Sequence, residues 1–379
     1  MHEPSQSLPF LAPFVFAGGA QLNNRVLLAP MTNGQSHADG TLGADEMRWL
    51  SLRAEGGFGG VVTCAAHVRE DAQGFDGELG VFDDVHVEGL SQLAAELGRS
   101  GCACYVQLYH GGARCPSRLT GVRPVSASAF TLDTPGFEVP RELAEAEILA
   151  IVDSFAEAAR RCARAGVDGV EIHGANGYLV TQFLSTQSNM RTDAWGGALE
   201  NRARFARALV RAVKEATRGI RGPRGGDFVV GLRLSPENAG SQKGLDLAES
   251  LQVARWLAED GLDYFHLSLG DYAKVANEET NAAGAVPLVS RFREALPARV
   301  ALATSGGIWT GADAQEAMRL GADLITLGKA GIAHADWPRA AAQSDFTPRR
   351  FPQSPERLAA QGVSPSFLAL LRLMRLVAD

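Results

Sequence analysis

Eight short apolar runs, at 26–30, 59–66, 103–109, 167–172, 228–233, 263–269, 300–304 and 323–327, punctuate this chain at intervals that leave room for a helix between most of them. Their composition fits buried strands. The stretches 85–99, 145–165, 199–217, 246–260, 286–296 and 311–319 each carry an apolar stripe with charges on the opposite face, as surface helices do. Strands that alternate with helices run parallel, because each helix carries the chain back to the same edge of the sheet. A chain of 379 residues can hold one large barrel or two ordinary domains, so the count of units decides. Eight in succession, with no GxGxxG joining a strand to a helix, predict a closed (β/α)8 TIM barrel in place of an open doubly wound sheet.

The flanks are distinct from the repeat. A hairpin turning at Gly18-Gly19 precedes the first strand and is placed to plug the barrel floor. The segment 110–144, with Pro116, Pro124, Pro135 and Pro140, is too long for a simple connection and reads as a lid. After residue 344 come Pro348, Pro352 and Pro355, then a last helix with Ser364 as its cap and Pro365 at its first position. The chain therefore divides into a barrel, 1–345, and a C-terminal extension, 346–379. The apolar face of the last helix (Phe367, Leu370, Leu371, Met374) packs on that barrel or, alternatively, on a second subunit of a homodimer.

Charge and cysteine usage exclude several classes. A net charge of −7 with no basic stripe argues against nucleic acid as the partner. Cys64, Cys102, Cys104, Cys115 and Cys162 are odd in number and lack CxxC spacing, which points away from structural disulfides and toward a reducing cytoplasm. The apolar stretch 8–20 contains two prolines and follows an acidic start, unlike a secretory signal, and no later run is long enough to span a membrane. No HExxH or similar cluster suggests a metal.

The chemistry concentrates in GVDGVEIHGANGYLVTQFLS, which sets His173, Asn176 and Tyr178 just past the end of the fourth strand. Barrel active sites are assembled at that edge. A His and an Asn three residues apart can aim two neutral donors at one oxygen, polarising a carbonyl or stabilising an enolate. Tyr178 is a phenol that keeps its proton at neutral pH and can give it up as an acid. Taken singly, each is also what a satisfied polar group at a strand end looks like.

The longer stretch EIHGANGYLVTQFLSTQSNMRTDAWGGALENRARF resembles the signature of the old yellow enzyme family of FMN-dependent ene-reductases. The resemblance continues through NRVLLAPMT at 24–32, VQLYHGGA at 106–113, GLRLSPEN at 231–238, ATSGGI at 303–308 and LGK at 327–329, and so covers nearly the whole barrel. It implies that His173 and Asn176 hold the substrate's carbonyl oxygen or a similar anionic group and that Tyr178 donates the proton. It places Pro30, Met31 and Thr32 beside the flavin ring, with the Thr32 hydroxyl tuning its potential, and brings Ala65 and Gln107 to the flavin's edge. Arg233, a charge in a barrel mouth, gains a partner in the reduced flavin. Ser305, Gly306, Gly307, Gly328 and Lys329 would take the phosphate over the last two strand ends.

Some positions depart from the family. It usually has arginine at Lys329, which keeps the charge and loses the bidentate fork. Asn33-Gly34-Gln35-Ser36 lacks the aromatic residue that some relatives place there to line the pocket. Trp195 and His110 read as structural, and no cysteine group resembles an iron–sulfur motif. The expected activity is a ping-pong cycle in which NADPH or NADH reduces FMN, and an α,β-unsaturated carbonyl or nitro compound then takes the hydride while Tyr178 protonates the neighbouring carbon. The alternative is a flavoenzyme of the same family with dehydrogenase or nitro-reductive chemistry.

Overall fold

The computed structural model describes residues 8–132, 134–240 and 243–378. Eight parallel strands close on themselves: β1 Val26–Leu28, β2 Gly60–His67, β3 Ala103–Tyr109, β4 Gly169–Gly174, β5 Val229–Leu234, β6 Tyr264–Leu267, β7 Ala301–Ser305 and β8 Leu324–Leu327. Each pairs with its neighbours in sequence, and β8 completes the ring by pairing with β1, Leu327 opposite Leu28. The predicted barrel is thus the observed fold. Every residue of β2, β3 and β4 is buried, which is why these strands read as nearly continuous apolar runs: helices cover one face and the barrel interior the other.

Among the described residues, seven helices surround the ring: α1 Ala44–Glu55, α2 His86–Arg99, α3 Glu145–Arg164, α4 Leu199–Ala216, α5 Leu247–Glu259, α6 Leu288–Ala295 and α7 Gly311–Arg319. Local chemistry fixes several starts. Asp246 caps α5 by accepting from the Glu249 amide, and Thr310 and Asp313 form a reciprocal capping box on α7. The helix absent from the sequence reading is α1, whose buried face carries Glu46, Ser51 and Arg53 beside Trp49 and Leu50 and so blurs the apolar stripe. No helix among the described residues is long and apolar enough to cross a membrane.

The N-terminal hairpin pairs Phe14–Val15 with Gln21–Leu22 and turns at Gly19, whose φ of 85° suits glycine. Phe16, Ala20 and Leu22 join Val62, Tyr105, Tyr264 and Ala303 in a cluster that fills the bottom of the barrel. This leaves the opposite, carboxyl edge of the strands open for a site. There the last helix, α8 Pro365–Leu373, is capped by Ser364 as expected and lays Phe367 against Trp49 of α1 with ring centroids 5.4 Å apart.

Candidate active site

β4 runs two residues further than the sequence suggests, so His173 lies within the strand and the turn begins after Gly174. The Ala175 amide donates to His173 Nδ1 at 3.3 Å. That bond places the ring proton on Nε2, leaving an N–H donor for the cavity that His173 lines. Burial, reinforced by Arg233, depresses the imidazole to about 3, so it stays neutral at ordinary pH. Asn176 adopts a φ of 62°, a left-handed conformation that asparagine tolerates better than most residues, and its main-chain N–H donates to Ser235 Oγ. Ser268 Oγ donates to Asn176 Oδ1 at 3.4 Å, which leaves the side-chain NH2 unspent on that contact, and Asn176 lines the same cavity as His173. Tyr178 precedes the short helix Leu179–Leu184, and its ring meets His173 edge-on with centroids 5.0 Å apart. Burial and the nearby Glu78 push its phenol above the ordinary value against the opposing pull of Arg114 and Tyr109, so it keeps its proton.

These three side chains share a cavity of about 370 Å³ with Pro30, Met31, Thr32, Ala65, Gln107, Arg233, Gly328 and Lys329. A second cavity, about 320 Å³, adjoins it through Pro30, Met31, Arg233, Gly328 and Lys329, and is lined further by Ser305, Gly306 and Gly307. The residues that the resemblance assigns to substrate and flavin thus border two adjoining cavities at the carboxyl edge of the barrel. Its donors fit a planar, anionic cofactor with a phosphate tail. Arg233 donates to Pro30 O at 3.3 Å, yet its buried Nε has no protein partner. An unspent guanidinium donor beside a cavity calls for an acceptor. At the far end Gly306 has a φ of 104°, and a Cβ there would lie 2.4 Å from Leu269 O. Ser305 spends its hydroxyl on Leu267 O, which leaves main-chain amides, together with Lys329 at the start of a short helix, to meet an anion. These are the residues that would hold FMN.

Beneath the cavity lies a polar network that sequence reasoning missed. Glu171 accepts from Gln107 Nε2 at 2.8 Å and from Tyr264 OH at 3.0 Å, and His266 Nδ1 lies 2.8 Å from the same carboxylate. His266 Nε2 in turn meets Thr326 Oγ1 at 2.9 Å. The signal was present as costly residues inside otherwise apolar strands: Gln107 is in register with Glu171, and Arg233 with both His173 and His266.

The expected lid is the main correction. No described residue of 110–144 lines either cavity. The segment instead folds onto the connection after β4, where Ser126 Oγ donates to Gln182 Oε1 and Arg191 holds Ala127 O. Phe367, Leu371, Met374 and Leu376, from the C-terminal extension, form the apolar wall of the larger cavity. His110, whose Nδ1 accepts from the Gly112 amide, and Trp195, whose indole donates to Glu145, are buried outside the two cavities.

Comparison with known proteins agrees with this geometry. The model of the NADH:flavin oxidoreductase / NADH oxidase family matches residues 10–345. The chain is 37% identical over 332 residues to the probable NADH-dependent flavin oxidoreductase YqiG of Bacillus subtilis, covering 87% of this chain and 86% of that one. It is 34% identical over 331 residues to the NADH:fumarate oxidoreductase of Klebsiella pneumoniae, covering 86% of this chain but only 35% of that longer protein. Among solved structures, the old yellow enzyme homologue from Zymomonas mobilis superposes with a TM-score of 0.79 at 25% identity, covering 94% of this chain and 99% of that one. Morphinone reductase in complex with tetrahydroNAD superposes with a TM-score of 0.77 at 27% identity and covers 94% of each chain. This chain belongs to the NADH:flavin oxidoreductase / NADH oxidase family, the old yellow enzyme family of FMN-dependent oxidoreductases that take hydride from NADH or NADPH.

Proposed function

We propose that this chain reduces the C=C bond of α,β-unsaturated carbonyl or nitro compounds. The observation that carries the reading is the set on one wall: a neutral His173 with its proton on Nε2, the Asn176 amide, and a protonated Tyr178, all facing the same cavity. FMN, held by Thr32, Gln107, Arg233, the 305–307 turn and Lys329, would supply the redox chemistry of a ping-pong cycle, carrying hydride from NADH or NADPH to the β-carbon of the acceptor in one pocket. His173 and Asn176 grip the acceptor's oxygen and stabilise the charge that grows on it. Tyr178 delivers its proton to the α-carbon. Phe367 and Leu371 add apolar lining that excludes water from the same cavity. Two relatives carry the names NADH:fumarate and NADH:acrylate oxidoreductase, and fumarate and acrylate are both α,β-unsaturated acids. This chain spans about 35% of each.

On the same reading, residues 346–379 are an extension that walls the site of the 1–345 barrel, and the exposed Leu373 and Met374 form the edge where a second copy of the chain would meet it.

Anaerobic reduction of the purified protein by NADH and by NADPH, followed by reoxidation with cyclohexenone, maleimide and a nitroalkene, tests donor and acceptor together. Tyr178→Phe should slow reoxidation by alkenes on the order of a hundredfold while sparing reduction by the nicotinamide. Equal rates in both half-reactions would rule the reading out. His173→Ala should weaken the binding of phenols, which mimic the charged oxygen, and unchanged phenol affinity would count against the oxygen-binding role.

A further inference from the structure

Behind Tyr178 lies a second protic group that the mechanism above leaves unused. The ring of Tyr109, at the end of β3, meets that of Tyr178 edge-on with centroids 4.6 Å apart. Tyr109 has no exposed surface, and among the described residues no group other than the Tyr178 phenol is there to partner its hydroxyl. Glu78 is also fully buried, with Oε1 unpartnered and Oε2 accepting from the Gly74 amide at 2.6 Å. Gly74 joins the two: a Cβ there would lie 2.2 Å from the Tyr109 oxygen, so one residue without a side chain touches both the hydroxyl and the carboxyl. Buried polar atoms without partners are rare in folded proteins, and Glu78 Oε1, across Gly74 from the Tyr109 hydroxyl and behind the proposed proton donor, calls for an explanation. Burial pushes the Glu78 carboxyl well above its ordinary range, which favours the neutral acid, and the Gly74 and Phe75 amides are there to receive it as an anion.

We propose that Tyr109 and Glu78 form a buried proton reserve that recharges Tyr178, which rests on the reading of Tyr178 as the proton donor. As the substrate's α-carbon gains its C–H bond, the Tyr178 O–H bond breaks. The Tyr109 proton moves to the Tyr178 oxygen, and the Glu78 proton moves to the Tyr109 oxygen. The carboxylate left at Glu78 is held by the two amides and regains a proton from water after product departs. Tyr109 and Glu78 touch no substrate and act through Tyr178. The charged and titratable groups facing Tyr178 are Tyr109, His173, Glu78, Cys115, Arg114 and Arg233.

The test uses the FMN-loaded protein carrying Tyr109→Phe, Glu78→Gln or both, with Tyr178→Phe as reference. Glu78→Gln keeps an acceptor for the Gly74 amide. Reoxidation by cyclohexenone should be about tenfold slower in either single variant, the factor carried by one hydrogen bond to a charged group. The double variant should be no slower than the singles, because the two groups act in series, and reduction by the nicotinamide should be unchanged. In protein with 13C at tyrosine Cζ, Tyr109→Phe should move the Tyr178 titration to higher pH, which loss of packing alone would not do. Normal reoxidation and an unmoved titration in Tyr109→Phe would overturn the reserve, as would slowing that adds in the double variant. If Tyr178→Phe itself leaves reoxidation unaltered, the donor assignment fails instead. Slow Tyr178→Phe with normal Tyr109→Phe removes the reserve alone.

Discussion

His266 Nδ1 lies 2.8 Å from Glu171 Oε2 at the centre of the barrel, and neither side chain has exposed surface. Burial alone would raise the Glu171 carboxyl, but His266, Arg233 and the Gln107 amide outweigh it and hold the group below the ordinary 4.5. The anion at Glu171 is therefore what makes the Arg233 cation tolerable beneath the flavin site. Glu171→Gln keeps the shape and removes the charge. Breaking a buried pair on one side should cost about 3–5 kcal/mol, read as a lower urea midpoint at neutral pH. A depressed carboxyl contributes stability that is present above its unfolded value and lost as pH falls through the lower native one. The gap between wild type and variant should accordingly narrow as pH falls, and a gap that does not change with pH would mean that packing, not charge, was lost.

Buried neutral histidines set a second pH dependence. Burial depresses His67 and His110 to about 4 each, and burial with Arg233 takes His173 to about 3. Below pH 6.5 the unfolded chain takes up protons at these positions while the folded one does not, so stability falls as pH drops from 6.5 toward 4. Each histidine contributes a slope of up to about 1.4 kcal/mol per pH unit. His173→Asn should remove one such contribution from urea unfolding measured between pH 6.5 and 4.5, and an unchanged slope would show that His173 is charged in the native state. Phenol affinity of the wild type, followed through the flavin absorbance, should show no inflection from His173 between pH 5 and 8.

How much was legible beforehand depended on whether the deciding contact was local. The barrel was readable because the strands are almost wholly buried on both faces and the outer helices other than α1 carry their own stripes. The pair His173 and Asn176 was readable because three residues of turn bring them together. The wall formed by Phe367 and Leu371 was not, since nothing local says that a helix nearly two hundred residues after β4 returns to the site. Prolines and length made 110–144 look like a cover, whereas the side chains that decide its path, Gln182 and Arg191, belong to another connection. The Glu171 network stayed hidden because its members lie on β3, β4, β6 and β8 and meet only when the ring closes.

The C-terminal wall predicts a division of labour within α8. Phe367 is 1% exposed and packs on Trp49, so it anchors the helix. Phe367→Ala should destabilise the protein by about 3–5 kcal/mol, seen as a fall in melting temperature. Leu371 is equally buried and also lines the cavity. Leu371→Ala should enlarge the pocket, raising KM for cyclohexenone several-fold with kcat nearly unchanged and admitting bulkier enones. A fall in kcat with unaltered KM would show that the helix positions the reacting groups and does not merely enclose them.

Lys329 begins a short helix where main-chain amides and two cations, Arg233 and Lys329 itself, border the second cavity, and no side chain among the described residues is hydrogen-bonded to its ammonium. A compact ammonium offers one point of attraction to a phosphate, whereas a guanidinium offers a planar fork that matches two oxygens at once. Lys329→Ala should raise the Kd for FMN about 10- to 100-fold, since a hydrogen bond to a charged group is worth about 1.5–3 kcal/mol. Lys329→Arg should tighten binding if Gly328 leaves room for the longer head group, and the nearest atom to a Cβ placed on Gly328 is Met31 Sδ at 3.6 Å, an ordinary contact with a deformable side chain. FMN release measured by fluorescence after dilution, as a function of salt, separates the two effects. The charge alone predicts parallel salt dependence for lysine and arginine, and the fork predicts a tighter arginine complex at every salt concentration. If alanine retains FMN as well as lysine does, the phosphate is held by the glycine amides alone.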